Sequence, residues 1–106
     1  MRKIEIHDWD IIDKEGKNAK EDLLVVLQVL ITMKNPEDLP KGFEQFKLFH
    51  KLAKAFDKAR ETKELVLEEK EYEFLKNTVL RDIPMTWSGN PNIYNSIDLF
   101  MNAKEE

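Results

Sequence analysis

Leu23-Leu24-Val25-Val26-Leu27-Gln28-Val29-Leu30-Ile31-Thr32-Met33 is the longest apolar run in the chain, broken only by Gln28 and Thr32. A helix built from it has almost no polar side, and a helix apolar all round is surrounded by protein. In a chain of 106 residues that leaves two settings, the centre of the fold or a subunit interface. The run is too short to be a membrane span: at about 1.5 Å of rise per residue it crosses roughly half a bilayer. Upstream, Asn18 stands where an N-cap belongs, and Glu21 completes a capping box. Asn35-Pro36 stops the helix after Lys34. The pattern therefore predicts a helix over 19–34.

On the N-terminal side, residues 3–12 favour strand. Ile4 and Ile6 share one face, while Trp9 and Ile11 have the opposite parity, so a bulge or tight bend is expected near Asp8. Asp13-Lys14-Glu15-Gly16 reads as a turn, with Gly16 supplying the positive φ.

On the C-terminal side, residues 36–40 form a short connector, with room for one helical turn. Phe43, Phe46, Phe49, Leu52, Ala53 and Phe56 recur at three- and four-residue spacing and predict a second helix over 42–61. Leu65-Val66-Leu67 is a short strand. Glu68-Glu69 opens a third helix with acidic residues at its positive end, and Tyr72, Leu75 and Val79 mark its buried face before Ile83-Pro84 ends it. Met85 to Pro91 is a loop. Asn90 as N-cap and Pro91 at the first helical position start a last helix with Ile93, Tyr94, Ile97, Phe100 and Met101 as its stripe. Lys104-Glu105-Glu106 is expected to fray. The expected fold is α+β, about four helices with a two- or three-stranded β element, in a single compact domain over 1–106.

Composition narrows the chemistry. The chain has no cysteine, which removes disulfides, thiolate ligands and thiol nucleophiles and fits a reducing compartment. Charges interrupt Met1–Asp8 at once, so no apolar signal core forms there. A soluble, cytoplasmic protein that does not enter membranes is expected. Glycines stand only at 16, 42 and 89, too far apart for a phosphate loop, and His7 and His50 lie in unrelated settings. The acidic residues of Asp8–Gly16 fit no calcium-loop register, because Ile12 falls on a ligand position from either start. No catalytic residue, metal ligand or cofactor site is expected, and the chain is read as not an enzyme.

Charge is uneven. The net charge is -4, yet residues 41–63 carry seven basic and three acidic side chains between two acidic flanks. Within them Lys47, Lys51, Lys54 and Lys58 fall in a sector of roughly 60° on a helix. Phe49, Leu52, Ala53 and Phe56 lie away from it. Four aligned ammonium groups suit a solvated face, an acidic protein partner or phosphates. Against nucleic acid stand the absence of arginine and of an aromatic residue interleaved with the lysines, together with a pI near 5.3. Trp87 on its loop is either an anchor folded onto the core or a partner contact, and the same choice holds for Trp9.

The segment Asp13-Lys14-Glu15-Gly16-Lys17 before an apolar helix, then Glu64-Leu65-Val66-Leu67-Glu68-Glu69-Lys70-Glu71-Tyr72-Glu73-Phe74-Leu75-Lys76 and a short final helix, resembles small uncharacterised proteins encoded by tailed phages and prophages of Gram-positive bacteria. The resemblance implies a viral accessory or assembly protein and transfers no catalytic residue. The expected function is that of a non-enzymatic interaction protein working by self-association or by binding a larger protein. The alternative is a nucleic-acid-associated regulator that uses the lysines of residues 47–58.

Overall fold

The computed structural model describes residues 1–33, 37, 39 and 41–105. Its elements run β1 (Arg2–Glu5), β2 (Trp9–Ile12), β3 (Asn18–Glu21), α1 (Leu23–Thr32), α2 (Phe43–Thr62), β4 (Glu64–Leu67), α3 (Glu69–Asp82), a 3₁₀ turn (Met85–Gly89) and α4 (Pro91–Met101). The architecture is α+β. Most of the connector expected over 36–40, the expected helix end at Lys34, and Glu106 lie outside the described residues.

The strands form two separate antiparallel pairs, β1 with β4 and β2 with β3. The break at Asp8 is thus more than a bend, because it sends the chain from one sheet to another. In the first pair Ile4 stands opposite Leu65, and both are buried. In the second, Asp13 holds the hairpin turn by accepting from the Glu15 and Lys17 amides, each at 2.9 Å, and Gly16 takes φ +79°.

The expected helix start at Asn18 is corrected here. Residues 18–21 are strand, and Asp22 caps α1 by accepting from the Val25 amide at 3.2 Å. The Asn18–Glu21 capping box is a local preference that loses to a ladder with Trp9–Ile12, reinforced by the Lys20–Asp10 ion pair.

One apolar core joins every helix to the β1–β4 pair: Leu24, Leu27 and Leu30 of α1, Leu52 and Phe56 of α2, Leu65 and Leu67, Tyr72 and Leu75 of α3, and Phe100 of α4. Lys63 turns α2 straight into β4 in the left-handed conformation, φ 61°, with its amide donating to the Ala59 carbonyl. The β4 strand then folds back along α2, where Ala59 is completely buried.

The C-terminus is held, contrary to the expected fraying at Lys104 and Glu105. Arg2 Nη1 donates to the Ala103 carbonyl at 2.6 Å, and Arg2 bridges to Glu105 across the end of β1. The Tyr72 hydroxyl is shared between the carbonyls of Phe100 (2.8 Å) and Met101 (3.1 Å) in the last turn of α4, where Phe100 also accepts from the Ala103 amide.

Candidate apolar docking groove

α1 is both a core helix and an open surface. Leu23, Leu24, Leu27 and Leu30 enter the core, while Val25 and Val29 on the other side remain 40% and 38% exposed. The apolar run is longer than one face requires, and the surplus reaches solvent.

That surplus adjoins a second unpaired surface. After α3 the chain turns at Ile83-Pro84 into the 3₁₀ turn, which replaces the irregular loop expected there. Asn90 then caps α4, accepting from the amides of Asn92 and Ile93, with Pro91 at the first helical position as expected. The 3₁₀ turn and α4 enclose a groove of about 310 Å³ lined by Ile83, Met85, Trp87, Tyr94, Ile97 and Met101, with Ser88 and Asp98 as its polar members. A smaller hollow of about 200 Å³ lies between α1 and this region, lined by Val25, Val26, Val29, Trp87, Ile93 and Glu21. Trp87 lines both.

Trp87 packs partly against the core, as the anchor reading of its sequence position expects. It is half-buried there, and its remaining surface lines both the apolar groove and the more polar hollow beside α1. Trp9 is simpler: it is 8% exposed, and its indole Nε1–H has no hydrogen-bond partner among the described residues. Tyr94, expected in the buried stripe of α4, is 58% exposed at the groove mouth, and Met85 is 86% exposed. The sequence does carry a sign of this surface. Residues 83–103 contain one charged side chain, Asp98, and Leu23–Met33 contains none.

The lysine face stands on α2, elsewhere in the fold. Lys47, Lys51, Lys54 and Lys58 are all exposed, as their helical sector requires. Two of them have carboxylate neighbours: Lys47 lies 3.6 Å from Glu44, and Lys51 lies 3.4 Å from Glu68. Lys54 and Lys58 have no ion pair among the described residues. An aromatic pair precedes the lysine face at the start of the helix. Phe43 and Phe46 stack with ring centroids 6.1 Å apart, and Lys47 Nζ sits 4.7 Å from the Phe43 centroid.

Phe43 and Phe46 were expected in the apolar face of α2, yet they are 67% and 69% exposed. The apolar contacts of α2 with the core begin only at Leu48 and Phe49, where Phe49 meets Phe74 edge-on at 5.1 Å. The first turn of α2 stands clear of the core. Ala53 is likewise exposed.

A shallower hollow between α2 and α3 is lined by Glu44, Glu69 and Glu73, but Glu69 is committed to Arg2. No group of three or more histidine, aspartate or glutamate side chains able to hold a metal occurs among the described residues, and none of the described helices is long and apolar enough to cross a membrane. Comparison with protein-family models, with curated proteins and with solved structures finds no match to this chain.

Proposed function

We propose that this chain is a non-enzymatic protein-interaction domain that docks apolar side chains of a protein partner, or of another copy of itself, in the groove beside Trp87. The observation that carries this reading is the apolar groove between the 3₁₀ turn and α4, with Trp87 packed partly on the core and lining both this groove and the hollow beside the exposed Val25 and Val29 of α1. Scattered exposed apolar side chains are normal on a folded protein, but large contiguous apolar patches rimmed by polar groups mark interaction sites. A half-exposed tryptophan held by a rigid scaffold suits an interface anchor. Among the described residues the only charged ones lining the two hollows are Glu21 and Asp98, so the partner chemistry that fits is an apolar helix face flanked by basic residues. A cytoplasmic accessory or assembly role of the phage kind agrees with the sequence resemblance.

The test uses Trp87 as its own reporter in a Trp9→Phe background. Titration with a synthetic amphipathic peptide, phenylalanine and leucine on one face and lysine on the other, is expected to shift Trp87 emission to shorter wavelength and saturate. Met85→Glu with Tyr94→Glu should abolish the response. An unresponsive Trp87, or a response the double variant leaves unchanged, contradicts the proposal.

A further inference from the structure

The groove has a counterpart on the same molecule. The start of α2 presents Phe43 and Phe46 as a stacked, solvent-exposed aromatic pair, with Lys47 against the Phe43 ring and Lys51 and Lys54 along the same helix. It is an apolar knob on a lysine-bearing helix, where Lys47 and Lys51 also contact Glu44 and Glu68 and Lys54 has no ion pair among the described residues. The groove is an apolar hollow whose charged lining residues are the carboxylates of Glu21 and Asp98. The two do not meet within one chain, because α2 packs on β4 and α3 and leaves both rings in solvent.

We infer that the occupant of the Trp87 groove is the Phe43–Phe46 knob of a second copy of this chain. The inference rests on the docking role of the groove and adds the identity of its partner. Apolar surface meets apolar surface, and lysines meet carboxylates. A symmetric contact of groove on groove would instead bring Glu21 and Asp98 of the two copies together with no cation among the lining residues. Knob and groove are different patches, so the contact is head-to-tail. Such a contact closes into a ring if the rotation allows it and otherwise grows as an open chain.

Two aromatic rings entering one groove make a small contact compared with the roughly 800 Å² per partner of a standard interface, so a weak, concentration-dependent assembly is expected. The experiment is a complementation followed by sedimentation equilibrium. Phe43→Ser with Phe46→Ser removes the knob and keeps the groove; Met85→Glu with Tyr94→Glu removes the groove and keeps the knob. All four side chains are exposed, so folding is expected to be retained, and circular dichroism checks it.

The wild type should rise in mass with concentration, each variant alone should remain monomeric, and an equimolar mixture should form a one-to-one pair that high salt weakens. A wild type that stays monomeric overturns the inference, as does a knob variant that assembles like wild type or a mixture that stays monomeric. If the wild type is monomeric while the amphipathic peptide still shifts Trp87 emission, the second copy is excluded and the docking role survives. If neither occurs, both fall.

Discussion

Arg2 and Glu69, 67 positions apart, meet through two parallel hydrogen bonds, Nη2 to Oε1 at 2.9 Å and Nε to Oε2 at 3.1 Å. The same guanidinium holds the Ala103 carbonyl and lies 4.6 Å from the centroid of the Tyr72 ring. One side chain thus ties β1, α3 and the end of the chain together. It also fixes α4, one wall of the groove, from the far end.

Chiefly through the hydrogen bond from Arg2, Glu69 is held below the usual carboxylate range. A depressed carboxylate contributes stability that is present above its unfolded pKa and lost as pH falls through the folded one. Glu69→Gln should therefore be less stable than wild type at neutral pH, and the difference should close on acidification. Urea midpoints across an acid series check this. Because the Glu69 side chain is 44% exposed, added salt should shrink the difference.

Tyr72 behaves in the opposite sense. Burial pushes its phenol above the ordinary value of 10.0, against the opposing pull of Arg2. Its contribution is complete below that ordinary value and is lost as pH rises through the raised one. Tyr72→Phe removes the donor that serves Phe100 and Met101, at a cost of about 1–2 kcal/mol. The variant should also show a flatter loss of stability in alkali, read from thermal melts.

Lys63 occupies a left-handed position at the end of α2 that glycine adopts without a Cβ penalty. Lys63→Gly is expected to stabilise the fold by about 1 kcal/mol. A lowered melting temperature would mean that the lysine side chain matters more than the backbone.

The two sides of α1 should respond differently. Leu27→Ala empties a site that is 1% exposed and should cost about 2–5 kcal/mol. Val25→Ser, on the open side, should cost less than about 1 kcal/mol. Equal penalties would show that Val25 is packed.

Much of this was readable locally. Asn90-Pro91 starts α4 where its cap and fixed φ require, and the spacing of Tyr72, Leu75 and Val79 gives the buried face of α3. Asn18–Glu21 misleads because a capping box and a short strand look alike until Trp9–Ile12 arrives as the pairing partner, through a turn that sequence alone leaves unpaired. Periodicity shows which side of α2 is apolar, but not that the core ends short of Phe46. The groove was legible only as a lack of charge over 83–103. Its walls depend on how α1, α3 and α4 close around Phe100, a contact among distant residues.

Docking in the Trp87 groove is the function proposed for this protein. NMR amide spectra recorded while the amphipathic peptide is added test it most directly. Shifts are expected at Val25, Val29 and across residues 83–101, including the Trp87 indole. Shifts confined to Lys47–Lys58, or a groove that stays silent throughout the titration, would contradict it.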